Sequence, residues 1–362
     1  MNNKILVVGG AGYVGSVLCR ELLEKGYAVR VADRLYFGDH GLRGIRDRVE
    51  LLDADMRAIP KQALSDVHAV INLGGLSNDP MAEYNPEANH QLNTVAAYQL
   101  AELAKVAGVG RYILASSASI FDRGVFNEEL DVVQDERSEV APKAAYSCSK
   151  LEAERLIAPL TDEQFAPTFL RKGTIFGYSP RLRYDLVVNT FVKDAMRSGR
   201  IRLVYGGEMW RPLLDIRDAA RAYIAVLEAD VTRVTNQVFA VSSGNFRIAE
   251  LALRVRDALR DQGVDPEIVA DYGYASVRSY RISSRKLRET VGWSPAVTIE
   301  ESVRDLVTHI RQENAVDFDN PRYYNIAWMK LLEESEKIVR SGTSLFAGAG
   351  DERRPAWPVP AS

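Results

Sequence analysis

Residues 4–24 read KILVVGGAGYVGSVLCRELLE, and this stretch decides the fold. Its first five residues form an apolar run typical of a short buried strand, and glycines follow at once, from Gly9 to Gly15. The remainder has the periodicity of an amphipathic helix. Glycines let the backbone turn tightly and approach a pyrophosphate closely, and the N–H groups and dipole of a helix start stabilise its negative charge. The stretch therefore predicts a phosphate-binding strand, turn and helix.

An acidic residue ends the next predicted strand, residues 28–33. A carboxylate about 20 residues after the glycines, here Asp33, is placed to accept the hydroxyls of an adenine ribose. Such a carboxylate repels the additional phosphate of NADP, whereas the neighbouring Arg34 would attract it. The pattern favours NAD as the cofactor and leaves NADP as the alternative.

The composition predicts a large core and argues against several classes of partner. The chain has 362 residues, of which 46% are hydrophobic, and a net charge of -3. This charge gives no reason to expect nucleic acid or a membrane as a partner. Cys19 and Cys148 lie far apart and the histidines are scattered, so we expect neither a disulfide nor a metal site. With no signal-peptide pattern at the N-terminus, the sequence predicts a cytoplasmic protein.

Strands and helices alternate through the first half of the chain. The predicted strands are 4–8, 28–33, 49–53, 68–73, 111–116 and 166–171, and the predicted helices are 13–26, 89–107 and 145–158. Short apolar strands without alternation are typical of a parallel sheet covered on both faces. The predicted fold class is therefore α/β, a Rossmann-type doubly wound parallel sheet with a smaller C-terminal α/β substrate lobe.

The second half of the chain is less regular. Its predicted helices are 185–198, 216–229, 247–261 and 299–312. We expect a cofactor-binding domain over 1–173, a substrate lobe over 174–320, a helix over 321–341 and a flexible tail over 342–362.

The spacing of Gly9, Gly12 and Gly15 resembles the glycine motif of the extended short-chain dehydrogenase/reductase superfamily. That resemblance implies a serine and a Tyr-x-x-x-Lys motif further along the chain. Ser117 follows the predicted strand 111–116, and Tyr146 and Lys150 open the predicted helix 145–158. The three motifs occur in the expected order on the expected elements.

The Tyr-x-x-x-Lys spacing has a chemical purpose. Tyr146 and Lys150 are four residues apart, so both side chains lie on one helix face. A nearby ammonium lowers the pKa of a phenol from its usual value of about 10. Tyr146 is then able to exchange a proton with a substrate hydroxyl. The resemblance implies that Lys150 also holds the nicotinamide ribose and that Ser117 bonds the same substrate oxygen.

Further segments resemble the NAD-dependent nucleotide-sugar epimerase/dehydratase family. Residues 116–121, SSASIF, are similar to its S-S-x-x-V-Y segment, and 53–56, DADM, to the segment that contacts adenine. Asn93 lies where the family has an asparagine that supports the active-site strand. The cofactor-binding residues that the resemblance implies are Gly9, Gly12, Tyr13, Val14, Gly15, Asp33, Arg34, Asp55, Met56, Leu73, Gly74, Gly75, Asn93, Ser116, Tyr146, Lys150 and Gly173.

The second lobe contains segments similar to the family's nucleoside-diphosphate site. Arg211 and Arg278 resemble its diphosphate arginines, and a guanidinium suits a diphosphate because it donates two parallel hydrogen bonds. Tyr205 corresponds to the ring that stacks on the base. The implied substrate-binding residues are Ser117, Thr174, Asn189, Leu203, Tyr205, Arg211, Arg278 and Tyr280. The partner expected from this resemblance is a nucleoside-diphosphate sugar.

Two positions narrow the reaction. The 4,6-dehydratases of this family have an Asp-Glu pair where this chain has Ala118 and Ser119, so a dehydratase of the usual kind would lack its acid and base. We therefore expect an NAD-dependent nucleotide-sugar epimerase, acting at C4 through a 4-keto intermediate with Tyr146 as base. The alternatives are a 4-keto-sugar reductase, a decarboxylase-like or other dehydratase-type relative, and a non-catalytic cofactor-sensing protein. The resemblance also implies a homodimer formed through helices 89–107 and 145–158.

Overall fold

The computed structural model describes residues 3–122, 132–273 and 278–340. Its strands are β1 (Lys4–Val8), β2 (Ala28–Asp33), β3 (Val49–Asp53), β4 (Val67–Asn72), β5 (Arg111–Ser117), β6 (Val133–Gln134), β7 (Ala166–Lys172), β8 (Thr174–Phe176), β9 (Arg200–Val204), β10 (Trp210–Asp215), β11 (Gln237–Val241), β12 (Gly244–Arg247), β13 (Glu267–Asp271) and β14 (Arg281–Ile282). Its α-helices are α1 (Tyr13–Glu24), α2 (Asp79–Tyr84), α3 (Pro86–His90), α4 (Ala96–Val106), α5 (Ala145–Ile157), α6 (Val187–Ser198), α7 (Ile216–Glu228), α8 (Val231–Val234), α9 (Ile248–Arg260), α10 (Arg285–Val291), α11 (Ile299–Gln312) and α12 (Asn325–Arg340). The predicted tail 342–362 lies outside the described residues.

A seven-stranded parallel sheet organises the fold, in the order β11-β7-β5-β4-β1-β2-β3. This arrangement confirms the predicted doubly wound sheet, and six of its strands were predicted within one or two residues. The sequence did not predict β11 as part of this sheet. Strand β11 lies within the predicted substrate lobe, residues 174–320, but it pairs with β7 of the central sheet. The strands of the central sheet therefore do not all precede residue 173.

Alternate residues of the central strands pack against helices on opposite faces of the sheet. On one face, Val7 belongs to a core that includes Leu18 of α1 and Tyr223 of α7. On the other face, Val8 packs in a second core with Leu100 of α4 and Ile157 of α5. Helix α5 is thereby held against the sheet, and its first turn lies near the carboxyl end of β5.

The second lobe has its own core beneath the sheet β12-β10-β8 and the strand pair β13-β9. Helices α6, α9 and α11 enclose this core through residues such as Val192, Val255 and Leu306. The helix predicted over 89–107 is instead α3, a π-helical turn over Gln91–Val95, and α4. Within the described ranges, none of the helices has the length and apolar character needed to cross a bilayer.

Candidate active site

The glycine turn between β1 and α1 forms a tight cradle. Gly9 has a φ of +78°, and a Cβ on Gly15 would lie 2.3 Å from the carbonyl oxygen of Gly9. Helix α1 begins at Tyr13 and receives no side-chain cap from Gly12. A Cβ on Gly12 would approach only the Gly9 carbonyl, at 3.1 Å. The turn thus brings a helix start close to open space, as a pyrophosphate requires.

Asp33 supports this turn. Its Oδ2 accepts a hydrogen bond from the Ala11 backbone at 3.0 Å, and its Oδ1 accepts one from Leu35 at 2.9 Å. Burial raises the pKa of the Asp33 carboxyl, while both backbone donors oppose that change. Each carboxylate oxygen has a second lone pair, so the group keeps the capacity to accept ribose hydroxyls. The cradle and this carboxylate fit the adenosine half of a dinucleotide.

The other residues predicted near the adenine lie at the ends of β2 and β3. Arg34 forms an exposed ion pair with Asp53, at 3.3 Å, so its guanidinium is engaged with a carboxylate. Asp55 accepts hydrogen bonds from the backbone and guanidinium of Arg57. Met56 is nearly buried, and its sulfur would lie 2.9 Å from a Cβ on Gly74. Met56 therefore packs against the loop that follows β4.

Asn93 connects that loop to the catalytic helix. It is fully buried in the π-helical turn, and its Nδ2 donates to the Leu76 carbonyl at 3.1 Å and to Asn89 at 2.7 Å. Asn89 in turn donates to the carbonyl of Ala145, the first residue of α5. A Cβ on Gly75 would lie 2.0 Å from Asn93 Oδ1, so only glycine fits there. The loop also contains Leu73 and Gly74, whose backbone N–H groups bond to the Val8 carbonyl and Asn72.

The structure brings Ser117, Tyr146 and Lys150 together. Ser117 ends β5 and forms a hydrogen bond with the Tyr146 side chain. The Lys150 ammonium lies 5.9 Å from the centre of the Tyr146 ring. Burial lowers the pKa of Lys150 to about 8, and the charge of Glu154 opposes this change. The lysine is therefore mostly protonated at neutral pH.

The surroundings of Tyr146 differ from the expectation. Burial, followed by the negative charge of Asp79, raises the pKa of its phenol, while Ser117 and Arg183 act in the opposite direction. We expected the Lys150 ammonium to bring this pKa below its usual value. The net change is upward because partial burial of the phenol and the charge of Asp79 outweigh the groups that act in the opposite direction. The phenol consequently holds its proton at neutral pH in this structure.

A chain of hydroxyl groups extends from Ser117. Its Oγ lies 2.8 Å from Ser119 Oγ, which in turn accepts a hydrogen bond from Ser147 at 2.8 Å. Ser119 is buried, and Ala118 beside it is fully buried. The two positions that would hold carboxylates in a dehydratase are thus a methyl group and a hydroxyl in a packed environment.

Ser116 and Gly173, two predicted cofactor-binding residues, make close contacts within the protein. The Ser116 hydroxyl bonds to Glu154, which forms a buried ion pair with Arg171 at 2.6 Å. Because strand residues alternate between faces, Ser117 faces the site while Ser116 faces the core. Gly173 lies where β7 approaches β10, and a Cβ there would be 2.7 Å from the Pro212 carbonyl. The Ser116 hydroxyl is therefore engaged by Glu154, and the contacts of Ser116 and Gly173 with a cofactor stay predictions.

Arg211, Arg278 and Tyr280 converge on one wall of the site. The Arg211 guanidinium donates to the Arg278 carbonyl and lies 5.8 Å from the centre of the buried Tyr280 ring. Arg278 pairs with Asp79 at 2.6 Å and with Asp122 at 2.8 Å. Asp79 also acts on the pKa of Tyr146, so this wall borders the catalytic group. The sequence did not identify the two carboxylates.

Other predicted substrate contacts support the second lobe. Asn189 is fully buried, and its amide bonds to the backbone of Gly177 and Arg183 and to the Tyr13 hydroxyl. The Tyr13 hydroxyl itself donates to the Gly177 carbonyl at 2.6 Å. Leu203 lies within the lobe's hydrophobic core. The side chains of Asn189 and Leu203 are thus buried within the protein, and the contacts of these two residues with a substrate stay predictions.

Thr174 and Tyr205 lie in the second lobe and are partly buried. Thr174 begins β8 opposite Leu213 of β10 and is partly buried. Tyr205 has a φ of +50° in the turn after β9 and packs partly against the lobe's core. Their contacts with a substrate stay predictions.

Lys172 is a residue that sequence reasoning missed. It ends β7 opposite Ser117 in the sheet register, and its ammonium lies 5.7 Å from the centre of the Tyr223 ring. Burial, and then the charge of Lys150, lower the pKa of Lys172 to about 7. A lysine at the end of a buried strand was the available signal. Among the described residues, no group of histidine, cysteine and acidic side chains has the geometry to hold a metal ion.

The chain is similar in sequence to known proteins over most of its length. A relative described as UDP-glucuronic acid decarboxylase 1 of Xenopus tropicalis is 24% identical over 319 residues, which cover 86% of this chain and 72% of the relative. A putative UDP-glucose 4-epimerase of Methanocaldococcus jannaschii is 24% identical and covers 86% of this chain and 99% of the relative.

Solved structures share the fold. UDP-glucose 4-epimerase of Thermotoga maritima superposes with a TM-score of 0.74 at 22% identity, covering 86% of this chain and 99% of that structure. UDP-glucuronic acid 4-epimerase of Bacillus cereus, in complex with UDP-glucuronic acid and NAD, gives a TM-score of 0.73 at 20% identity, with the same coverage. The model of the NAD-dependent epimerase/dehydratase family matches residues 5–242. The chain belongs to this family, and the predicted cofactor, NAD, is confirmed by that membership.

Proposed function

We propose that the protein is a nucleotide-sugar epimerase that inverts C4 of its substrate through a 4-keto intermediate. The observation that carries this proposal is the assembly of Ser117, Tyr146 and Lys150 at the carboxyl end of β5, with Ala118 and Ser119 beside them. These residues suit reversible proton exchange at one hydroxyl. They offer no carboxylate at the two positions where water elimination would need one.

The residues of this chain have complementary roles in such a reaction. Bound NAD supplies the acceptor of a hydride from C4 and later its donor, so no net oxidation occurs. Tyr146 takes the proton of the C4 hydroxyl and returns it to the keto oxygen after the sugar has presented its other face. Ser117 donates a hydrogen bond to that oxygen, and Lys150 holds a ribose hydroxyl and keeps a positive charge near the phenol.

The raised pKa of Tyr146 fits this cycle. A protonated phenol is the form needed to return a proton to a carbonyl oxygen. The positive charge of an oxidised nicotinamide beside the ring would favour the phenolate, the form needed to remove a proton. Burial and Asp79 favour the protonated phenol, whereas the charge of an oxidised cofactor would favour the phenolate. The same tyrosine is therefore suited to serve as base and acid in turn.

The substrate side of the site is balanced in charge. Arg211 and Arg278 offer guanidinium groups for a diphosphate, while Asp79 and Asp122 neutralise Arg278. We propose that a nucleoside diphosphate binds at Arg211 and partly displaces these carboxylates from Arg278. Carboxylates released in this way would face the sugar hydroxyls and accept hydrogen bonds from them.

A 4-keto-sugar reductase is the second candidate. It would draw on a diffusing reduced cofactor, which is more often the phosphorylated form. Arg34, the residue able to attract the additional phosphate, is paired with Asp53, and Asp33 faces the glycine turn. These contacts favour NAD and an internal redox cycle.

Incubation of the purified protein with UDP-glucose, UDP-glucuronic acid and their dTDP counterparts, followed by proton NMR, tests the proposal. The expected result is the 4-epimer, with no accumulation of NADH and with strongly reduced activity in Tyr146→Phe. A pentose product would instead identify a decarboxylase, and consumption of NADPH with a keto-sugar would identify a reductase.

We also propose that the protein forms a homodimer. Leu156 on α5 and Val106 at the end of α4 are exposed, on the two helices that the family resemblance implicates. Light scattering coupled to size-exclusion chromatography should give twice the mass of one chain, and Leu156→Glu should reduce it.

A further inference from the structure

Arg181 is a buried cation with an unused donor. Only 2% of its surface is exposed. Its Nη2 donates to Asn325 Oδ1 at 2.6 Å, whereas its Nη1 has no hydrogen-bond partner among the residues that the structure describes. A buried donor without an acceptor costs stability, and a buried charge costs more. Such a group calls for a ligand that supplies both an acceptor and a negative charge.

The carboxylates around Arg181 are already engaged. Asp33 and Asp185 both interact with it electrostatically. The oxygens of Asp33 accept backbone hydrogen bonds from Ala11 and Leu35, and Asp185 forms a two-point ion pair with Arg183 at 2.8 and 3.0 Å. Burial, reinforced by the neighbouring Arg183, lowers the pKa of Arg181. The positive charge at Arg181 is therefore not directly paired within this part of the protein.

The position of Arg181 is against the glycine turn. A Cβ built on Gly41 would lie 2.4 Å from the Ala11 carbonyl and 3.3 Å from Arg181 Cβ. Gly41 is therefore packed between the glycine turn and Arg181, and the absence of a side chain at Gly41 lets the two approach each other. The segment before Arg181 is bonded to the same turn, since Ser179 donates to the Tyr13 carbonyl at 2.8 Å. The guanidinium also stacks on Phe37, with 3.6 Å between its carbon and the ring centre.

We propose that Arg181 is an additional cofactor-binding residue whose Nη1 donates to the pyrophosphate of NAD. A pyrophosphate at the glycine turn supplies the acceptor oxygens and negative charge that the described protein groups do not. Phe37 and Asn325 hold the guanidinium plane in place, so little side-chain freedom is lost on binding. The segment 177–183 thus contributes to the cofactor site as well as to the second lobe.

Asn325 is the positioning residue in this arrangement. It begins α12, and besides holding Arg181 its Nδ2 donates to Ser77 at 2.8 Å, in the loop after β4. Trp328, one turn later, donates to the Tyr36 carbonyl in the loop after β2. Helix α12 therefore contacts the loops on both sides of the glycine turn. It lies beyond residue 242, where the family match ends.

Calorimetric titration of the dinucleotide-free protein with NAD+, ADP-ribose and NADP+ tests this assignment. We expect Arg181→Met to weaken NAD+ and ADP-ribose binding by the same factor, about tenfold or more, and Arg181→Lys to weaken them less. Asn325→Ala should cause a smaller loss by releasing the guanidinium. The matched control is Arg197→Met, because Arg197 is an exposed arginine of the same lobe paired with Asp319.

The unfolding transition of each variant, measured without cofactor, separates binding from folding. A cooperative transition for Arg181→Met with NAD+ affinity within twofold of wild type would overturn the proposal. A loss confined to NADP+ would also overturn it, since Arg181 would then contact a ribose phosphate. If Arg181→Met does not fold, Arg181→Lys and Asn325→Ala decide, and unchanged NAD+ and ADP-ribose affinities in both would refute the assignment.

Discussion

Lys172 lies directly opposite Ser117 in the pairing of β5 with β7. Both residues are at the carboxyl ends of their strands, where the catalytic side chains meet. Burial and the charge of Lys150 lower the pKa of Lys172 to about 7. Keeping this half-buried amine protonated therefore costs free energy of folding. No carboxylate among the described residues forms an ion pair with it. The site therefore contains a cation that the family motifs do not include.

Replacing Lys172 by methionine should stabilise the protein most at low pH. In the unfolded chain this lysine binds its proton up to about pH 10.4, whereas in the folded protein it loses the proton near pH 7. The unfolded state binds more protons between these values, so wild-type stability rises with pH through that window. Each unit of difference between the folded and unfolded pKa of Lys172 corresponds to about 1.4 kcal/mol in the free energy of unfolding. This value is an upper bound because the side chain is only half-buried.

Urea denaturation of Lys172→Met and wild type at pH 6.5 and 9.5 measures this effect. The variant's advantage in free energy of unfolding should be larger at pH 6.5. Lys61→Met, at an exposed lysine, should show no such dependence. An advantage for Lys172→Met that is equal at both pH values would contradict the buried-charge argument.

Tyr146→Phe and Lys150→Met should affect catalysis and cofactor binding differently. The first removes only the hydroxyl that exchanges the proton, so kcat should fall by about 100- to 10,000-fold while NAD affinity stays near that of wild type. The second removes the buried ammonium expected to hold the ribose, so both quantities should fall. Turnover assays and NAD titrations measure the two effects, and an equal loss of affinity in both variants would contradict this division of roles.

Asp79→Asn should move the pH profile of kcat. The charge of Asp79 raises the pKa of Tyr146, so its removal lowers that pKa and makes the phenolate available at lower pH. We expect the acidic limb of the profile to shift downward by up to about one pH unit. Glu83→Gln, at an exposed position on the same helix α2, is the control. A shift upward, or none, would show that Asp79 does not act on the phenol.

Gly15→Ala should disrupt the glycine turn. Its new methyl group would lie 2.3 Å from the Gly9 carbonyl, closer than any packed contact allows, so the turn and the start of α1 must move apart. We expect a loss of about 1–3 kcal/mol in the free energy of unfolding and a loss of NAD binding. At Gly110 the nearest atom to an added Cβ is 3.9 Å away, so Gly110→Ala should leave cofactor affinity unchanged.

The first half of the fold was predictable because its signals are local. Apolar runs of about five residues, interrupted by glycine turns and amphipathic helices, define each strand within a short window. Strand β11 carries the same kind of signal, but its place beside β7 is decided by the excursion of the chain through β8 to β10. No local pattern around Gln237–Val241 reports that connection.

The catalytic trio was predictable for a different reason. The order of the motifs along the chain identified Ser117 and the helix that contains Tyr146, and the parallel sheet brings them together at the carboxyl ends of its strands. The partners of Arg278 were not, because Asp79 and Asp122 come from distant parts of the chain. Asn189 shows the converse problem, since its position in a motif does not reveal that its amide faces inward. Side-chain direction depends on tertiary packing, which a similarity of short segments does not contain.

The position of strand β11 also affects how the protein folds during its synthesis on the ribosome. The glycine turn and Asp33 emerge early, but the sheet gains its last strand only after residue 241 has been synthesised, and α1 meets its packing partner α7 only shortly before. Much of the second lobe must therefore leave the ribosome before the first core can close. During synthesis, the cofactor cradle and the lobe expected to bind the substrate should mature together rather than one after the other.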